Sequence, residues 1–316
     1  MNILKATRDG YGEALVELGR QSRNVVVLDA DLSESTRTGM FAKAFPERFF
    51  NAGIAEQNMV NMAVGLALSG KTVFASTFAV FAAGRCWEQL RNSLGAMRAN
   101  VKIAASHGGL TVGADGMSHQ SLEDVALVRA IPNFTVIVPC DWIEARKAVF
   151  AAAELKGPVY LRLSRPKTEQ ITDEDGSFDV GRSVCMREGR DLAIVACGIM
   201  VARALEAARL LASDGIEAEV INMHTIKPLD EQAVIGAAKK YGALVTAEEH
   251  SVIGGLGGAV AEAVVRHCPA PIEMVGVQDK FGQSGEPEEL LKKYSLTAVD
   301  IRAAAKRAVS RKGSQR

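Results

Sequence analysis

The chain has 316 residues, 48% hydrophobic and 23% charged, a length that suits two domains and a composition that can bury a sizeable core. Lysine plus arginine and aspartate plus glutamate balance at 37 each, so net charge offers no pull toward nucleic acid or an acidic membrane. The segment Met1–Gly10 lacks the apolar stretch of a secretory signal, no apolar run has membrane-spanning length, and the five scattered cysteines form no CxxC pair; a reduced, cytoplasmic protein without zinc or disulfides is expected.

In chain order, short apolar runs at Val25–Asp31, Val73–Phe78, Val101–Ser106, Thr135–Pro139 and Val159–Leu163 read as strands. Helical spacing covers Ala55–Leu68, Phe81–Leu94 and Trp142–Glu154 between them. The alternation predicts βαβ units around a mostly parallel sheet, a doubly wound α/β domain over 1–167. The polar, acidic stretch 168–190, with Gly176 and Gly181, reads as a linker able to hold a short strand. A second doubly wound α/β domain follows over 191–316. Its strands are Leu192–Ala196, Ala218–Ile221, Leu244–Ala247 and Ile272–Val277. Its helices are about Met200–Ser213, Asp230–Tyr241, Gly257–His267, Glu288–Lys293 and Thr297–Val309, with a basic tail that frays at its end.

Four segments carry candidate chemistry. Glu56 stands in the first turn of an otherwise apolar helix, after Asn51-Ala-Gly-Ile-Ala; taken alone, a carboxylate there is a helix-dipole partner. Phe78 and Phe81, three apart, can share one side of a helix start, and alone read as core. Between Ser106 and Gln120, two histidines (His107, His119) and Asp115 fall among four glycines just after a strand. Glycines allow close backbone approach, and polar groups after strand ends are where α/β sites form. The spacing His-x7-Asp-x3-His matches no tight metal site, so a catalytic or substrate loop is the stronger reading. Arg162 and Arg165 close a strand on opposite faces, one suited to a solvated edge and the other to a fork for phosphate. The run Gly254–Gly258 invites a dinucleotide reading but fails it, because Val260 stands where the third small residue belongs.

Taken in order, these segments resemble the C-terminal half of transketolase, over nearly the whole chain. Gly-Ile-Ala-Glu56-Gln resembles the family's glutamate motif, shared with deoxyxylulose-phosphate synthase and the β subunit of 2-oxoacid dehydrogenase E1. Ser-Thr-Phe78-Ala-Val-Phe81 resembles the aromatic segment against the cofactor's pyrimidine, and His107 through His119-Gln120 resembles the transketolase substrate loop. Ala-Thr-Arg8, Ala30-Asp31-Leu-Ser-Glu-Ser35 and Leu-Ser-Arg165 match further family positions. Two departures stand out. A third aromatic is missing after Phe81, where Gly84 and Arg85 stand, and the chain lacks the Gly-Asp-Gly…Asn signature that holds diphosphate through a divalent metal.

The resemblance implies a pyrimidine-binding domain followed by a transketolase C-terminal domain, using thiamine diphosphate to move a two-carbon ketol unit from a ketose to an aldose. It implies Glu56 at the pyrimidine N1′, Phe78 and Phe81 against that ring, and Asp31 near the thiazolium. His119 would handle the donor hydroxyl proton, and Asp115 would read a substrate hydroxyl. Arg8, Ser35, His107 and Arg165 would receive a distal phosphate or other anion. No metal ligand is expected on this chain: Mg2+ or Ca2+ would be held by a separate N-terminal subunit carrying the diphosphate-binding domain, in an α2β2 assembly. The second domain would serve subunit contacts, with His224, His250 and His267 structural or exposed. Rival readings are an E1 β subunit acting on 2-oxo acids, against which Arg8, Asp115 and Arg165 stand, and a non-catalytic partner subunit.

Overall fold

The computed structural model describes residues 4–312; the basic tail begins as helix, within Ala298–Lys312, and its end, where fraying is expected, lies outside the described residues. Two sheets organise the chain. The first, in spatial order, is Thr225–Lys227, Thr135–Ile137, Val159–Arg162, Val101–Ser106, Thr72–Phe78, Val25–Asp29 and Phe49–Asn51. Every pair in it is parallel except the edge strand Thr225–Lys227, which the second half of the chain contributes antiparallel to Thr135–Ile137. The second sheet runs Ile272–Val277, Leu244–Ser251, Leu192–Ala196, Ala218–Asn222, Val184–Arg187, with only the last antiparallel.

The central strands are buried along their whole length, as in Val25–Asp29 and Val101–Ser106, because helices cover both faces. Such runs are mostly Val, Ile, Leu and Ala on both faces rather than an alternation, with buried Lys102 as an exception. One apolar core joins the two halves: Val26, Ile103 and Tyr160 of the first belong to the same buried cluster as Val195, Ile221 and Val260 of the second. The stretch 168–190 is more structured than a linker. Thr168–Glu169 pairs with Leu4–Lys5, and Val184–Arg187 joins the second sheet. Buried Asp141 fastens it by accepting from the amides of Ile171 (2.8 Å) and Thr172 (2.7 Å).

Two local expectations need correction. The segment Phe81–Leu94 is not one α-helix but two π-helical stretches, Val80–Arg85 and Leu90–Ala96, joined by a short α-turn. A 15-residue helix, Thr7–Gln21, was not expected from the sequence. Its glycines are packing points: a Cβ on Gly10 would lie 2.1 Å from the Trp142 carbonyl oxygen, and one on Gly19 would meet the rings of Phe41 and Phe45 at 2.6 Å. Among the described residues no helix is long and apolar enough to cross a membrane.

Candidate active site

Parallel strands with aligned registers end together, and their carboxyl ends form the floor of a crevice, the usual ligand position in such sheets. Asp29 lies beside Ser76, Phe78 beside Ser106, and Ala105 beside Arg162. The strand ends and the segments that leave them carry the candidate residues, except Arg8, which the helix Thr7–Gln21 brings in.

Glu56 is the first residue of the helix Glu56–Leu68 and is 2% exposed. Both of its carboxylate oxygens accept from Nη1 of Arg85, each at 2.7 Å. The Arg85 guanidinium also lies 4.5 Å from the centre of the Phe81 ring. Phe78 and Phe81 are nearly parallel, 5.9 Å apart at the centroids. Phe78 has a second neighbour in His107, stacked on it at 3.8 Å, whereas the edge of His119 faces Phe81 at 5.5 Å. A buried carboxylate beside an aromatic face suits a flat heterocycle bearing ring nitrogens. The guanidinium, itself flat and rich in N–H donors, already makes both of those contacts. These residues therefore fit the aminopyrimidine of thiamine diphosphate.

A second cluster lies deeper in the loops. Arg8, in the first turn of Thr7–Gln21, donates to the Ser35 carbonyl at 2.8 Å and meets His107 Nε2 at 3.4 Å. His107 is buried, with Nδ1 2.8 Å from Ser106 Oγ. Since arginine can only donate, Nε2 is the acceptor and Nδ1 carries the proton. Burial, then the charges of Arg8 and Arg165, push its pKa down to about 3, so it is a neutral imidazole at working pH. Arg165 donates to the Val112 carbonyl and, at 3.2 Å, to Asp115. Asp31, exposed and at φ 64°, exchanges two hydrogen bonds of 3.1 Å with Asn51. Arg8, Ser35, His107, Asp115 and Arg165 thus gather on one side of the aromatic pair, with His119 at its edge. Asp31 stands apart on its own turn.

Several contributors had no expectation from sequence. Arg37 pairs with Asp9 at 2.7 Å and pushes on both Arg8 and His107. Burial and then Arg37 hold the Arg8 guanidinium below its ordinary pKa. Asp29, fully buried, shapes the Asp31–Ser35 turn by accepting from Leu32 N (2.6 Å), Thr36 Oγ1 (2.6 Å) and Thr38 Oγ1 (2.8 Å). Arg162 is neither a solvated edge charge nor an anion fork. It is buried, holds Asp124 at 2.9 Å, and donates to the carbonyls of Ser121 and Glu249.

The second domain also reaches the site. Glu249, 4% exposed, accepts from the Thr111 amide at the root of the loop that carries Asp115. Consecutive carboxylates inside a buried strand, Glu248-Glu249, were the readable signal for it. Glu248 explains the Gly254–Gly258 run: its carboxylate takes the amides of Leu256 and Gly257 at 2.7 Å, filling the helix end where a phosphate would sit. His224 and His250 are buried, and His267 is exposed.

Comparison with known proteins agrees with this architecture. The family model "Transketolase, pyrimidine binding domain" matches residues 4–170, and "Transketolase, C-terminal domain" matches residues 181–301. A putative transketolase C-terminal section of Methanocaldococcus jannaschii is 51% identical, over 95% of this chain and 95% of that protein. A 6-deoxy-6-sulfo-D-fructose transketolase subunit of a Clostridium species is 44% identical, over 96% of this chain and 95% of that one. Among solved structures, a split gene transketolase described as an inactive beta4 tetramer superposes with a TM-score of 0.91 at 54% identity, covering 96% of this chain and 98% of its own. The chain belongs to the transketolase family and carries its pyrimidine-binding and C-terminal domains in tandem.

Proposed function

We propose that this chain is the C-terminal subunit of a two-subunit transketolase, completed by a separate chain that carries the diphosphate-binding half. Thiamine diphosphate, implied by the family, supplies the electron sink for breaking and remaking a carbon–carbon bond. The single observation that carries the reading is the buried Glu56 carboxylate, joined through the Arg85 guanidinium to the face of Phe81.

Each residue of the chain then has a task. Glu56 would hold the cofactor's pyrimidine N1′ by a hydrogen bond and share a proton there. Phe81, and Phe78 behind it, back that ring. His119, partly exposed at the edge of both rings, exchanges the proton of the donor hydroxyl. Asp115, steered by Arg165, reads a substrate hydroxyl. Arg8, Arg165 and Arg37 receive a distal anion, a phosphate or a sulfonate, through the paired donors that arginine offers. In this reading neutral His107 supports Arg8 instead of supplying charge, and Ser35 lends its carbonyl to hold that arginine. Asp31, held by Asn51, would be the residue of this chain nearest the cofactor's thiazolium. The divalent ion, magnesium or calcium, is held by the partner, and an α2β2 assembly is the simplest closed arrangement. The five free cysteines suit a reducing compartment such as the cytoplasm.

The test is two-carbon transfer from ketose phosphates and ketose sulfonates to an aldose, with thiamine diphosphate and Mg2+, for the chain alone and with its partner. Activity is expected only in the mixture, and Glu56→Gln should lower kcat by at least about a hundredfold with assembly intact, as for loss of a general acid–base group. Turnover by the chain alone overturns the reading. So does decarboxylation of 2-oxo acids in place of sugar cleavage.

A further inference from the structure

Arg85 occupies the turn where a third aromatic is missing, and it makes the two contacts that the proposed function reserves for the pyrimidine. It holds both oxygens of Glu56 at 2.7 Å and lies over Phe81 at 4.5 Å. Glu56 is almost fully buried, and a buried carboxylate without a partner is strongly unfavourable. The Arg85 side chain is 46% exposed, and a Cβ on neighbouring Gly84 would meet nothing within 4 Å. The guanidinium is therefore half exposed, and the backbone next to it at Gly84 borders open space. Arg85 closes the π-helical stretch Val80–Arg85, a rare backbone form that concentrates at functional sites, and its carbonyl is tied down by Gln57 Nε2 at 3.0 Å.

We propose that Arg85 is a displaceable placeholder for the cofactor's aminopyrimidine: it satisfies Glu56 and covers Phe81 in the unloaded subunit, and it swings toward the opening beside Gly84 when the ring enters. This inference rests on the proposed function, which supplies the ring. The arginine keeps the empty pocket stable, because it neutralises a buried charge and shields an aromatic face. It also competes with the ligand, since a site whose ready state is only partly populated binds more weakly by that fraction. Arg85 thereby sets how tightly the assembled enzyme holds its cofactor and how intact the pocket remains without it.

The decisive measurement is calorimetric titration of thiamine diphosphate, with Mg2+, into the assembled two-subunit complex. Wild type is compared with Arg85→Met and Arg85→Lys, alongside urea unfolding of the isolated chain. Arg85→Met should lower Kd roughly tenfold, the worth of one charge-assisted hydrogen bond. Arg85→Lys, which keeps a charge but not the plane, should fall between. In the isolated chain Arg85→Met should shift the urea midpoint down, and the shift should vanish in a Glu56→Gln background. An unchanged or weaker Kd for Arg85→Met, in a complex whose wild type binds cofactor, overturns the placeholder and leaves the transketolase reading standing. A wild-type complex that binds no thiamine diphosphate overturns both. A midpoint shift that persists with Glu56→Gln overturns the pairing on which the idea depends.

Discussion

Among single residues, the proposed function rests its specificity chiefly on the arginines. Arg37 and Arg165 lie close enough for their charges to push on Arg8, which is half-buried with its Nε unpartnered. Asp9 and Asp115 already answer Arg37 and Arg165, which leaves Arg8, bound to no carboxylate among the described residues, as the member of the cluster that the proposed function assigns to a ligand anion. Replacing Arg8 by Met should raise KM for a phosphorylated ketose by roughly tenfold or more while leaving KM for the unphosphorylated sugar nearly unchanged. Initial-rate kinetics on the two substrates separates the outcomes: an equal rise for both would show that Arg8 only braces Ser35 and His107. None of this was legible for Arg37, which follows Ser35-Thr36 in an ordinary polar turn. Its partner Asp9 lies 28 positions earlier, and only the fold brings the two together.

The loop Ser106–Gln120 is the element that carries His107, Asp115 and His119 of the proposed site. Gly109 turns at φ 95°, and a Cβ there would lie 2.3 Å from the Glu249 carboxyl carbon, so the loop rests directly on the second domain. Gln120 locks the far end by donating to the carbonyls of Leu110 (3.0 Å) and Gln283 (2.9 Å). Gly109→Ala should therefore loosen the loop, with a cost of about 2 kcal/mol or more from strain and overpacking together. Amide exchange over residues 110–116 should quicken more than exchange in the Val101–Ser106 strand; a uniform change would mean that the loop is not a separate unit. The strands around it were legible because burial on both faces writes them as short, mostly apolar and β-branched runs. The helix Thr7–Gln21 was not, because Gly10, Gly12 and Gly19 break the periodicity for the sake of close approach to Trp142, Arg37 and Phe41. The π-helical stretches escaped for a related reason: an extra residue per turn leaves no signature in a pattern read at 3.6 residues. The role expected for the second domain, subunit contacts alone, was too narrow, since Glu249 reaches the loop only once the two sheets pack on a shared core.

At the scale of the whole molecule, buried ionisable groups oppose each other in their response to acid. Burial lowers His107 from 6.5 to about 3, and His224 and His250 from 6.5 to about 4. Between about pH 4 and 6.5 each of these binds a proton in the unfolded chain and not in the folded one, so each makes stability fall as pH falls. Burial raises Glu144, Glu248 and Glu249 from 4.5 to about 7. Between 4.5 and 7 each binds a proton in the folded chain and not in the unfolded one, so each makes stability rise as pH falls. Three groups of each kind overlap between about pH 5 and 6, and their proton counts cancel there, leaving the stability contributed by these six groups nearly flat. Removing one group should tilt the curve by about 1.4 kcal/mol per pH unit, the slope for one proton. The sign depends on which group is removed. Glu249→Gln leaves the histidines in excess, and stability should fall on acidification. His224→Asn leaves the glutamates in excess, and stability should rise on acidification relative to wild type. Urea unfolding of the isolated chain from pH 5 to 6 reads the slope independently of any overall loss that either substitution brings. Slopes of the same sign in the two variants would mean that these groups do not hold the protonation states their burial dictates.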